Sequence, residues 1–272
     1  MNQPPLRIAL LDLYNGEPNE GMRSIKSILE KFKNFTTYEV FDVRQLNQLP
    51  DTSFDIYISS GGPGNPLPQG ESWEQPFFNL WDDIIKLNEV EGAKKKFVFL
   101  ICHSFQMLSL HWEIAKVSKR HSPSFGIFPI HKTDEGNIDS VIKRLPEPFF
   151  GVDSRVWQVT EPDIEKLNET GAKVLCMEKI RPHVEYERAV MAIRFSKEMM
   201  GVQFHPEADA EGMYRYFERP DKKEKIIDEH GKEKYEAMIA MLANPNTIEL
   251  THHAIMPSFL SEAIEYFLPQ LV

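Results

Sequence analysis

The chain has 272 residues, 42% of them hydrophobic, enough for one large domain or a domain with an appendage. Its formal net charge of −10 argues against a nucleic-acid surface, which needs a concentrated basic footprint. Two cysteines, Cys102 and Cys176, make no disulfide framework, and no run of about 18 apolar residues offers a membrane span.

The opening residues lack the basic and apolar regions of a signal peptide, so a cytoplasmic location is expected. Residues 6–13 read as a buried strand, followed by a turn at Tyr14, Asn15 and Gly16. Met22, Ile25, Ile28, Leu29 and Phe32 recur at helical spacing and predict a helix over residues 19–35. Residues 38–43 and 55–60 read as the second and third strands, and the third runs into "GGPGNP". Phe77, Phe78, Leu80, Trp81, Ile84 and Ile85 mark a helix, and an apolar strand then ends at Cys102. This alternation indicates parallel βαβ units.

Beyond Trp112 the segments "SFGIFPIHKT", "RVWQVT", "AKVLCME", "AVMAIRF" and "GVQFHPE" read as short strands, some antiparallel at one edge of the same sheet. Helical composition returns near the C-terminus. The expected organisation is one domain over residues 1–210 and a helical extension over residues 211–272. Ile226, Ile227, Met238, Met241 and Leu242 would pack that extension on the domain. The short basic clusters at residues 94–96 and 222–223 read as solvated faces.

Three strand-end features carry the chemistry. Ligands of open α/β sheets gather outside the carboxyl ends of the strands. The loop "SSGGPGNP" follows one strand, and Gly61, Gly62 and Gly64 can bring backbone N–H groups close to a ligand, as an oxyanion hole requires. Cys102 ends another strand; taken alone it reads as a buried thiol. His205 and Glu207, two apart around Pro206, place both side chains on one face of an extended segment. A histidine can take the cysteine proton while a carboxylate fixes its far nitrogen. Cys102, His205 and Glu207 thus form a possible triad, with the N–H of His103 as a second oxyanion donor by analogy with nucleophile elbows.

"ISSGGPGNP", "FLICHSFQML" and "GVQFHPE", in this order, resemble the class I (triad) glutamine amidotransferase family over residues 7–210. The resemblance implies a flavodoxin-like three-layer α/β/α fold, with a mostly parallel central sheet, antiparallel edge strands and a helical C-terminal appendage. It implies hydrolysis of a γ-glutamyl amide through a cysteine thioester, without a cofactor or a metal. Cys102 would be the nucleophile, His205 the base and Glu207 its partner, with Gly62 and His103 as oxyanion donors and Gln106 at the family's glutamine after the elbow. No synthetase domain is visible, so ammonia would pass to a separate partner chain.

The elbow departs from the family pattern. Leu100 and Ser104 stand where the family has glycines, and Phe105 where it has a histidine. The expectation is a narrower or differently shaped pocket and poor glutamine turnover, with Ser104 serving as a helix N-cap. A stand-alone γ-glutamyl hydrolase or acyl transferase, or an inactive binding homologue, are the rival readings. Arg155, in "VDSRVWQVTEPD", either holds a substrate carboxylate bidentately or is a surface ion-pair partner. His252 and His253 read as a helix surface rather than a metal site, and Cys176 as core.

Overall fold

The computed structural model describes residues 4–183 and 185–269. The apolar runs of the N-terminal half form β1 (Leu6–Asp12), β2 (Thr36–Asp42), β3 (Ile56–Ser59) and β4 (Phe97–Ile101). Between them lie α1 (Glu20–Glu30), α2 (Val43–Leu46) and α3 (Glu74–Glu89), and α4 (His103–His111) follows β4. Asn19 starts α1 by accepting the Met22 N–H at 2.8 Å, one of the orphan donors of a helix start. That helix stops at Glu30, short of the expected residue 35, because residues 31–35 turn tightly into β2.

The second half contributes β5 (Ala115–Lys132), α5 (Asp134–Ile138), β6 (Phe149–Pro162), α6 (Ile164–Thr170), β7 (Lys173–Glu178), β8 (Val190–Ser196) and β9 (Met199–Val202). One nine-stranded sheet runs in the order β2-β1-β3-β4-β9-β8-β7-β5-β6. The strands from β2 to β9 in that order are parallel, and β8, β7, β5 and β6 continue antiparallel. The predicted short strands at residues 124–133 and 155–160 belong to β5 and β6, which span 18 and 14 residues. Their polar stretches carry no core pattern to read, yet backbone pairing holds them as a ribbon, with a register shift between Lys119 and Ser124.

α7 (Ala210–Glu218), α8 (Pro220–His230), α9 (Lys232–Leu242) and α10 (Ile248–Phe267) end the chain. α10 shares a core with α1: its Ile255, Met256, Phe259 and Leu260 join Ile25, Ile28 and Leu29 over one face of the sheet. α3 and α4 cover the other face through Phe77, Trp81, Ile84, Phe105 and Leu108. The result is three layers, α/β/α. α7 to α9 form a separate cluster, in which Phe217, Ile226, Tyr235, Met238 and Leu242 pack on Ile127 and Val152 of the β5–β6 ribbon. No helix among the described residues is long and apolar enough to cross a membrane.

Candidate active site

The parallel register carries β4 to its end beside β9, where Ile101 pairs with Val202. The chain then bends sharply. Cys102 has φ 48° and ψ −96°, a conformation that strains a residue bearing a Cβ. The bend is held from both sides: the Cys102 N–H donates to Val202 O at 2.7 Å, and Cys102 O accepts the Gln106 N–H at 2.9 Å. The thiol therefore stands at the N-terminus of α4, where the first helical N–H groups, His103 included, lack intrahelical partners.

The altered elbow residues do not narrow the site. Leu100 is fully buried in the core under α3 and α4. Space for that core comes from Gly201, paired with Leu100, where a Cβ would lie 2.6 Å from the Phe105 ring. Ser104 is not the N-cap of α4; Cys102 holds that position. The Ser104 hydroxyl instead accepts the Ile101 N–H at 3.0 Å and donates to Ser59 O at 2.9 Å, tying β4 to β3 behind the bend. Neither residue lines the cleft around Cys102.

The glycine loop reaches the thiol because it lacks side chains. A Cβ on Gly61 would lie 2.8 Å from His205 Cε1 and 3.5 Å from the Cys102 Cβ, and one on Gly62 only 2.4 Å from Leu13 O. Gly64 takes φ +105°. Arg44 clamps the loop by donating to Pro63 O at 2.5 Å and to Leu13 O at 3.3 Å.

β9 ends at Val202, so His205 and Glu207 lie beyond it. His205 is pinned by its N–H donating to Val152 O at 2.8 Å, and Glu207 falls in a turn closed by the Ala208 N–H on His205 O at 3.3 Å, not in the extended segment expected. His205 Nδ1 meets Glu207 Oε1 at 2.8 Å, which leaves Nε2 as the nitrogen not engaged by the carboxylate, and the Cys102 side chain borders the same cleft. Burial works against a charged imidazole here, but the Glu207 carboxylate and the neighbouring Cys102 side chain outweigh it and hold the His205 pKa well above its ordinary value. The stability this contributes is fully present below about pH 6.5 and is lost as pH rises through the raised folded value. Proton NMR is expected to find His205 as imidazolium at pH 7.5, and Glu207→Gln to lower its pKa; a neutral ring at that pH in the wild type would contradict the pairing. His103, buried and near Arg44, is pushed down to about 3 and stays neutral, so only its backbone N–H is of use to chemistry.

No protein-family model matches the chain, and no curated protein matches it in sequence. Solved structures do. A glutamine amidotransferase from Thermotoga maritima superposes with a TM-score of 0.71 at 16% identity, over 97% of this chain and 100% of that one. A glutamine amidotransferase from Methylobacillus flagellatus gives 0.59 at 13% identity, over 97% and 92%. The glutaminase domain of a Trypanosoma brucei CTPS, with bound acivicin, gives 0.53 at 15%, over 74% and 86%. The chain has the class I glutamine amidotransferase-like fold.

Several residues that the sequence did not single out brace the cleft around Cys102. Gln203, inside "GVQFHPE", directs Nε2 at Cys102 Sγ at 3.8 Å while its Oε1 accepts from Gln106 Nε2 at 3.3 Å and from the Val159 N–H at 3.3 Å. Gln106 also donates to Trp157 O at 3.0 Å, so its side chain braces the wall beside the thiol. The Glu207 carbonyl accepts from the Ser24 hydroxyl of α1 and from His252 Nδ1 of α10 at 2.9 Å. His252 is thus buried and structural, contrary to the expected helix surface, while His253 is exposed beside Glu249. No metal-ligand cluster occurs among the described residues. Tyr14 and Gly21 crowd Glu207: a Cβ on Gly21 would lie 2.4 Å from the Tyr14 hydroxyl and 3.2 Å from Glu207 Oε1.

Arg155 is buried, and its Nε meets both oxygens of Asp153, at 2.7 and 2.9 Å. That pair is buried rather than at the surface, and it takes only Nε: Nη1 of Arg155 is buried without a hydrogen-bond partner among the described residues, and the residue lines the cleft beside Gln106. Cys176 is fully buried in the core.

Cys102 lies where two clefts meet. One, of about 510 Å³, opens on the side of His205 and Glu207; the other, of about 420 Å³, opens on the side of His103 and Gln106. Gly62 borders both and Gly64 only the second. Tyr216 of α7 and Lys222 of α8 line both, so the C-terminal helices roof the thiol.

Proposed function

We propose that the chain is a cysteine-dependent amidohydrolase that cleaves a γ-glutamyl amide through a thioester on Cys102. The observation that carries this reading is the His205 ring, bonded to Glu207 at Nδ1 and sharing its cleft with Cys102, which stands at a strained strand-to-helix bend. His205 already holds the proton of the Cys102–His205 pair as the imidazolium, and sulfur attacks the amide carbonyl. The oxyanion forms against the backbone N–H groups of Gly62 and His103. His205 then returns its proton to the leaving amine as the C–N bond breaks. Water, deprotonated by His205, hydrolyses the thioester and restores the Cys102–His205 pair, leaving glutamate.

The reading draws further support from the fold shared with glutamine amidotransferases and with a glutaminase domain. A glutaminase acting for a separate synthetase chain, and a stand-alone hydrolase, use the same groups. Treatment with a γ-glutamyl chloroketone tests the common core. Mass spectrometry is expected to find one adduct, on Cys102, formed much faster than with a chloroketone lacking the glutamyl group, and none on buried Cys176. Equal rates with the two reagents would remove the γ-glutamyl assignment.

A further inference from the structure

The position of the thiol between two clefts bears on what leaves. In an acyl transfer the leaving nitrogen sits next to the acid that protonates it, here His205. The oxyanion points to the loop and to α4. The acyl chain is then left with the cleft beside Gln106, and the leaving amine with the cleft beside His205. In glutamine the scissile bond is terminal, with one heavy atom beyond it. Ammonia needs little more than a water's share of volume, roughly 30 Å³, against the 510 Å³ on the His205 side. A nucleophile at the waist of two substantial clefts fits a ligand with a large group on either side of the reacting carbonyl.

The charge in the leaving-side cleft narrows the class. Its inner acids are already engaged: Glu20 by Arg23 and by Arg215 at 3.0 Å, and Asp209 by Arg23, the Ser24 hydroxyl and the Gly212 N–H. Arg219 and Lys222, at the start of α8, are two cations that share one carboxylate, Asp221, at 3.1 and 3.8 Å. They leave a positive charge on the roof, half in solvent for Arg219 and less for Lys222. Glu17, exposed at the rim, carries a carboxylate with no ion pair among the described residues and repels an acid placed there, which directs it toward α8.

We propose that the substrate is an N-substituted γ-glutamyl amide whose leaving amine carries a carboxylate, held under the C-terminal roof by Lys222 and Arg219. This rests on the γ-glutamyl reading above. It makes the last quarter of the chain a specificity element and ammonia a poor leaving group for this site.

The test is steady-state hydrolysis by the full-length protein of four amides: L-glutamine, γ-glutamyl methylamide, γ-glutamylglycine and γ-glutamylputrescine. The expected order places γ-glutamylglycine first, with kcat/KM at least tenfold above the methylamide and glutamine. Lys222→Ala with Arg219→Ala should bring the glycine-to-methylamide ratio close to one, while Lys222→Arg keeps the preference. Glutamine as the best substrate, or γ-glutamylputrescine as the best, overturns the proposal and leaves the γ-glutamyl reading intact. A glycine preference that survives the double variant overturns the role of the roof cations. If none of the four turns over and the γ-glutamyl chloroketone gives no selective adduct, the γ-glutamyl reading fails and this proposal with it. The wild-type panel decides the substrate class even if the double variant does not fold.

Discussion

Cys102→Ala is expected to lower γ-glutamyl amide hydrolysis by roughly four to six orders of magnitude, the scale found when a nucleophile is removed from a working triad. The substitution deletes only the sulfur. It leaves the backbone bonds that shape the bend, Cys102 N–H to Val202 O and Gln106 N–H to Cys102 O, unaffected. The melting temperature should therefore move by only about 2–4 °C, the shift that one kcal/mol produces in a protein approaching this size. His205→Ala should cost nearly as much activity, because attack and amine release both pass through its ring. Glu207→Gln should cost less, since the amide oxygen can still accept from Nδ1 and only the charge is lost. Wild-type turnover in purified Cys102→Ala, measured as glutamate released, would end the assignment. Full activity in His205→Ala would show that another group serves as base.

The double variant Leu100→Gly with Ser104→Gly is expected to lose stability and gain no activity. Those positions carry glycine in the family this sequence resembles, and a steric argument from sequence makes them obstacles to glutamine. The structure reverses the expectation. Leu100 is fully buried under α3 and α4, so its removal leaves a cavity and a flexible residue in a central strand, at a cost of about 4 kcal/mol. Ser104 bonds Ile101 N–H and Ser59 O, and deleting its hydroxyl leaves a buried donor unpaired, at roughly 1–3 kcal/mol. Together they should lower the melting temperature by more than roughly 10 °C. Calorimetry beside a glutaminase assay checks both halves. A variant as stable as the wild type, with raised glutamine turnover, would restore the steric argument.

These two positions also show where sequence reasoning loses its footing. Whether a side chain at a family glycine blocks a pocket depends on which face of the strand it takes and on what lies opposite. Here the compensating space is Gly201, a hundred residues away, across the β4–β9 pairing. Arg155 posed the same problem. Its guanidinium suits a substrate carboxylate or a protein one; Asp153, two residues away on the same strand and bonded by Ser124 of β5 at 2.7 Å, takes Nε, while Nη1 stays buried without a partner among the described residues, beside the Gln106 cleft. His252, read as surface from a polar pair near a helix, is buried because α10 joins the layer beside α1 and brings the ring to the Glu207 carbonyl.

What the sequence determined by itself is local. Runs of apolar residues alternating with helical periodicity specify βαβ units, since each element must bury one face within its own length. A glycine loop after one strand, a cysteine at the end of another, and a histidine and a glutamate two apart around a proline are set by spacings of a few residues; the parallel sheet then needs only to bring its strand ends to one rim. The polar parts of β5 and β6, the roof of α7 and α8 over the thiol, and the division of the cleft into two were decided by the tertiary structure alone. They depend on pairings between residues far apart in the chain, whose cost and gain no short window contains: a polar ribbon is held by backbone bonds that any side chain permits, and a helix finds its place only when the surface it covers has formed.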